Sequence, residues 1–96
     1  MIASFADRAA EDIFHAVDSK AARGIPKDLW SVARRKLDML NAARVIEDLR
    51  IPPANRLEKL RGDLSGCYSI RINDQFRVVF RFDSGQAHDV RIVDYH

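Results

Sequence analysis

The dipeptide Pro52-Pro53 divides this chain into halves with different hydrophobic periods, and that division limits the folds open to it. Proline has no backbone N–H and pushes the residue before it out of helical geometry, so no helix runs through this point. Ahead of it, apolar residues recur every three or four positions. Ala9, Ala10, Ile13, Phe14 and Val17 make one stripe, and Leu29, Val32, Ala33, Leu37 and Leu40 a second. Behind it the period is two: Tyr68, Ile70 and Ile72 alternate with Cys67, Ser69 and Arg71, and Phe76, Val78, Phe80 and Phe82 with Arg77, Val79 and Arg81. Helical spacing followed by strand spacing predicts an α+β domain with helices on one side of an antiparallel sheet.

Local signals set the expected boundaries. Ser4 followed by Asp7 reads as a capping box opening the first helix, with Arg8, Glu11, Asp12 and Asp18 facing away from its apolar stripe. That helix is expected to stop before Arg23-Gly24. Pro26 suits the start of the second, whose outer face carries Arg34, Arg35 and Asp38. A short link makes the pair a helical hairpin. Met1 to Phe5 reads as a short edge strand and Asn55 to Arg61 as a strand ended by Gly62-Asp63. Asn73-Asp74-Gln75 and Ser84-Gly85 are the turns of a meander whose last strand carries Val90 and Ile92, with His88 in the turn before it. One face of that sheet is expected to be apolar, beneath the helices, and the other rich in arginine.

The 96 residues make one domain, residues 1–96, with 47% hydrophobic and 31% charged side chains. No run approaches the ~20 apolar residues of a membrane span, and the N-terminus lacks the basic lead and apolar core of a secretion signal. A cytoplasmic protein with no membrane partner is expected. Cys67 stands alone, which excludes an internal disulfide, and His15, His88 and His96 have no ligand spacing. No metal or other cofactor is expected. The net charge of +2 is small, but residues 49–81 hold seven Lys/Arg against three Asp/Glu. Six of those seven are arginine, whose planar fork matches phosphate.

The chain ends Val93-Asp94-Tyr95-His96, an acid, a ring and an imidazole directly after a strand-like run. RNA can be cleaved by its own 2′-hydroxyl when a site offers a base, a cation for the crowded phosphorane and an acid for the departing 5′-oxygen. His96 fits the acid, because imidazole titrates near neutral pH. Asp94 can orient that ring, and Tyr95 can stack on a base or bond the phosphate; a strand-end cap and core packing are their plain readings. Arg77, between Phe76 and Val78, points away from the apolar face, either as a solvated side chain or as a phosphate clamp. Being exposed, it is expected to be replaceable without loss of the fold. Glu58 is either an exposed partner of Lys59 or a general base. Trp30 is expected to touch the core or a partner.

Taken in order, Pro52-Pro53-Ala54-Asn55-Arg56-Leu57-Glu58, Leu60-Arg61-Gly62-Asp63, Tyr68-Ser69-Ile70-Arg71-Ile72-Asn73, Phe76-Arg77-Val78 and Val93-Asp94-Tyr95-His96 resemble the HigB toxins of the RelE superfamily. The resemblance covers the whole chain. It implies the toxin of a type II toxin–antitoxin pair, which enters the A site of the 30S ribosomal subunit beside 16S rRNA and cuts mRNA, and which a helix-turn-helix, HigA-like antitoxin holds inactive. By position it assigns catalysis to Asp94, Tyr95, His96, Arg77 and Glu58, and RNA binding to Arg56, Lys59, Arg61 and Arg71. Some relatives carry a catalytic histidine where this chain has Glu58. Toxins of the same fold that bind DNA gyrase, without nuclease activity, are the alternative.

Overall fold

The chain enters the fold as an extended arm laid along the last strand. Met1 to Phe5 makes two isolated parallel bridges, Ile2 with Ala87 and Phe5 with Val90, instead of the edge strand expected from its sequence. The computed structural model describes residues 1–94; Tyr95 and His96 lie outside the described residues. Helix α1, Arg8–Phe14, is capped by Asp7 and not by Ser4. One Asp7 carboxylate oxygen accepts from the Ala10 N–H at 2.7 Å and the other from the Ile92 N–H at 3.2 Å, so a single acid ties the helix start to the sheet. The Ser4 hydroxyl instead accepts from the Asp89 N–H at 2.8 Å.

Helix α1 ends at Phe14, about one turn sooner than its stripe to Val17 predicts. Asp12, expected on the outer face, is buried; its carboxylate accepts from the Ser19 hydroxyl at 2.6 Å and its carbonyl from the Val17 N–H at 2.8 Å. Those bonds need the left-handed backbone found at Ala16 (φ 60°), and they leave Val17 exposed. A 3₁₀ turn at Ala22–Gly24 follows, and Pro26 precedes another at Lys27–Leu29 that runs into α2, Trp30–Ala42. The stripe Ala33, Leu37 and Leu40 is buried as its spacing predicts. Trp30 packs against the core and donates its indole N–H to the Ile25 carbonyl at 2.8 Å. Lys36 is also buried, which its lysine identity did not announce.

Beyond α2 the path is irregular. A 3₁₀ turn at Ile46–Arg50, a cis Ile51–Pro52 bond and a 3₁₀ turn at Pro53–Asn55 lead to Arg56, whose backbone is left-handed (φ 46°, ψ 55°). The expected strand over 55–61 therefore shrinks to β1, Glu58–Lys59. Then come β2, Cys67–Arg71; β3, Phe76–Asp83; and β4, Gln86–Asp94, in the antiparallel order β1-β2-β3-β4. The Asn73 carboxamide oxygen accepts from the Gln75 and Phe76 N–H groups, shaping the β2–β3 turn. Ser84 and Gly85, at φ 52° and 77°, make the next one, where positive φ at both positions matches the twist of a tight hairpin. His88 lies within β4, opposite Arg81, and not in a turn. Between that pair and Val79–Arg91, β4 carries one extra residue, a bulge with Asp89 at φ 54°.

The main core lies between the helices and one sheet face: Ala10, Ile13, Ala33, Leu37 and Leu40 meet Ile70, Val78, Phe80 and Val90. The opposite face is not the solvated arginine surface that alternation predicts. The segment after β1 folds over it, and Leu60, Cys67 and Val79 form a second buried cluster with Leu64 and Val93 against it. Cys67 fills a buried strand position, as expected of a lone thiol.

Candidate functional site

Strand register decides which side chains can meet, because directly opposed residues project to the same face. Glu58 opposes Ser69, Arg71 opposes Arg77, and Arg77 opposes Val93, so all of these face away from the helices. At the end of this face is an open cleft of about 240 Å³ lined by Arg56, Glu58, Arg71, Asn73, Asp74 and Arg77. Three of its walls are guanidinium groups, each delivered differently: Arg56 by the left-handed turn after Asn55, Arg71 by the end of β2, and Arg77 by the start of β3.

Arg77 differs most from expectation. Its side chain is only 8% exposed, donates to the Ser69 hydroxyl at 2.6 Å and pairs with the Glu58 carboxylate at 3.2 Å. The face was predicted correctly; the solvation was not, because the second cluster walls it in. Glu58 itself is 52% exposed, so the guanidinium orients a carboxylate that a ligand can still reach. Arg71 pairs with Asp74, whose acidity that hydrogen bond and charge raise, with Arg56 adding to the effect; the Asp74 pKa therefore lies below its ordinary value.

Two buried groups support the cleft from behind. Lys36 donates its ammonium to the Asn55 side-chain oxygen at 2.5 Å, and Asn55 donates to the Leu49 carbonyl at 3.2 Å. Asn55 is wholly buried, so this chain of bonds anchors the turn that presents Arg56. Burial lowers the Lys36 pKa, and the nearby positive charges of Arg35 and Arg71 push the same way. Neither Lys36 nor Asp74 was singled out from sequence. A lysine inside a helix and an aspartate in a turn carry no mark of what they touch.

Of the other sequence candidates, Lys59 and Arg61 are exposed, and neither lines the cleft. Lys59 opposes Tyr68, which packs toward the helices, so its register sets it on the other sheet face. Asp94 opposes Phe76 and likewise belongs by register to the helix-side face, where the Gln75 side-chain amide donates to it at 3.1 Å. Among the described residues, Asp94 is not one of those that line the cleft with Glu58 and Arg77. Tyr95 and His96, the remaining terminal candidates, fall outside the described residues. Arg81 and Arg91 serve the bulge: Arg81 pairs with Asp89 at 3.5 Å, and Arg91 donates to the Asp89 carbonyl at 2.8 Å. Among the described residues no cluster of three or more His, Cys, Asp or Glu is placed to hold a metal ion, and no helix is long and apolar enough to cross a membrane.

Two helices against a four-stranded antiparallel sheet is a fold that solved toxin structures share. The YoeB dimer from Staphylococcus aureus superposes with a TM-score of 0.60 at 19% identity, covering 99% of this chain and 97% of that one. YafQ from E. coli gives 0.56 at 10% identity, covering 98% and 93%. The fold is thus the RelE fold of toxins such as YoeB and YafQ.

Sequence narrows the class further. Residues 3–96 match the HigB-like toxin family, described as RelE-like toxins of the type II toxin–antitoxin system HigB. Toxin HigB-1 of Vibrio cholerae is 42% identical over 87 residues, which span 91% of this chain and 90% of that protein. Endoribonuclease HigB of Proteus vulgaris is 27% identical over the full length of both. The chain belongs to the HigB-like toxin family.

Proposed function

We propose that this toxin is an endoribonuclease that cuts mRNA in the ribosomal A site and is neutralised by a HigA-like antitoxin. The observation that carries the reading is the cleft itself: three guanidinium groups around a half-exposed carboxylate, open to solvent on the sheet face the helices leave free. The name of the Proteus vulgaris relative supports RNA cleavage, and the YoeB–YefM complex from Staphylococcus aureus supports an antitoxin partner for a toxin of this fold.

In this reading Glu58 takes the proton of a 2′-hydroxyl, and that oxygen bonds to the adjacent phosphorus. Arg71 and Arg77 stabilise the negative charge that builds on the phosphorane. The P–O5′ bond then breaks, and His96 gives its proton to the leaving 5′-oxygen. The products are a 2′,3′-cyclic phosphate and a 5′-hydroxyl, and the balance needs no further reactant. Asp94 and Tyr95 keep the roles of orienting His96 and contacting the substrate. Arg56, Arg61 and Lys59 bind RNA phosphates on the message or on 16S rRNA, a salt-sensitive contact. The place of action is the cytoplasm.

Expression of the toxin alone, followed by primer extension on a reporter with and without its start codon, tests this. Cuts confined to the translated message support the reading. Equal cutting of both removes the ribosome from it, and gyrase-linked DNA breaks in place of RNA cuts overturn it. His96→Gln is expected to fold and bind antitoxin normally while cleavage falls by about 10²–10⁴, the contribution of one general acid.

A further inference from the structure

The two carboxylates in the cleft are held in very different ways. Glu58 pairs with Arg77, a buried side chain that the Ser69 hydroxyl also fixes. Asp74 pairs with Arg71, which is 32% exposed, and the Asp74 side chain is itself 98% exposed. Among the described residues the Asp74 carboxylate bonds to Arg71 and to no backbone group. The turn that carries it is already shaped by Asn73, whose side chain accepts from the Gln75 N–H at 2.9 Å and the Phe76 N–H at 2.7 Å. The acid is therefore presented to Arg71 by a turn that would keep its form without it. It also feels the charge of Arg56 across the cleft.

We propose that Asp74 is a built-in competitor for the RNA phosphodiester at Arg71, occupying the guanidinium until substrate phosphate displaces it. This rests on the RNA-cleaving reading above and adds how the site admits its substrate. A guanidinium fork that faces a carboxylate presents the same paired N–H donors that a phosphate would take. Exchange costs little on the acid's side, because a carboxylate already in water pays no new desolvation when it swings away. On Arg77 the same exchange is opposed by burial and by Ser69. The cleft thus holds one fixed cation and one switchable cation. Weakly held phosphates lose the competition at Arg71, and RNA docked by additional contacts wins it.

The test is binding of a fluorescein-labelled 2′-O-methyl RNA oligonucleotide, which 2′-attack cannot cleave, measured by fluorescence anisotropy. Asp74→Asn keeps the shape of the side chain and removes its charge. Releasing one exposed ion pair is a small effect, so Asp74→Asn should tighten binding by about 1.4- to fivefold. Asp38→Asn, which removes the same charge from the outer face of α2, serves as control and should leave affinity within experimental error. In an Arg71→Ala background the gain from Asp74→Asn should vanish. Unchanged or weaker binding by Asp74→Asn, an equal gain in Asp38→Asn, or a gain that survives Arg71→Ala overturns the inference. Wild-type protein that binds the oligonucleotide but shows no gain in Asp74→Asn sinks this inference alone. Wild-type protein that binds no RNA, on or off the ribosome, sinks the nuclease reading with it.

Discussion

Replacing Arg77 by alanine should cost this domain a large part of its stability as well as any activity. The side chain is 8% exposed, so its three methylenes are largely out of water; at ~0.8 kcal/mol each their burial contributes about 2 kcal/mol. The Ser69 hydroxyl, wholly buried, would lose its partner, which costs ~1–3 kcal/mol. Glu58 adds little, because at 52% exposure it returns to water; a pair of that kind is worth at most ~1 kcal/mol. The total is about 3–5 kcal/mol, against ~5–15 kcal/mol for a typical domain. For a chain of this length each kcal/mol moves Tm by ~4–8 °C, so a fall on the order of 12–40 °C is expected. Arg77→Met keeps most of the aliphatic bulk but still leaves Ser69 without its partner, so it should lose only the ~1–3 kcal/mol of that bond. Urea denaturation and calorimetry of both variants measure the difference. If Arg77→Ala unfolds within ~0.5 kcal/mol of wild type, the buried placement of Arg77 is wrong. With the placement upheld, Arg77→Met is the variant whose cleavage reports on chemistry and not on folding.

Two further outcomes follow from the supporting groups. Asp7→Ala removes both the cap of α1 and the acceptor for the Ile92 N–H, and should cost ~1–2 kcal/mol in chemical denaturation; Ser4→Ala, the cap expected from sequence, should not reproduce the α1 defect, read as the first-turn amide protection of α1 in hydrogen exchange. For Lys36, burial holds the folded-state pKa below the unfolded value of 10.5, so the unfolded chain binds more protons between the two. The contribution of this group is therefore fully present above 10.5 and is lost as pH falls through the folded-state pKa. Wild-type stability should rise relative to Lys36→Met as pH approaches 10.5, and parallel pH–stability curves for the two proteins would refute the buried ammonium.

What the sequence determined by itself was the sheet and the class of the fold. Alternation in 67–82 sets which strand residues face the helices, turn residues at 73–75 and 84–85 place the hairpins, and the stripe Ala33, Leu37, Leu40 identifies the core face of α2, because period and turn chemistry are local properties of the chain. The order of its motifs also carried the family. Tertiary structure alone decided the rest, through pairings between residues far apart in sequence. Asp7 became the cap because Ile92 needed an acceptor 85 residues away, and Asp12 turned inward for Ser19. The expected strand over 55–61 was cut back to Glu58–Lys59 by a turn anchored by Lys36 through Asn55. Arg77 was read as solvated because alternation reports a face and not what covers it; here Leu60 and Leu64 close over that face. Asp74 and Arg71 met across a turn whose residues, taken singly, promised only a change of direction. Which arginine is fixed and which can exchange its partner is a matter of burial, and burial belongs to the folded chain.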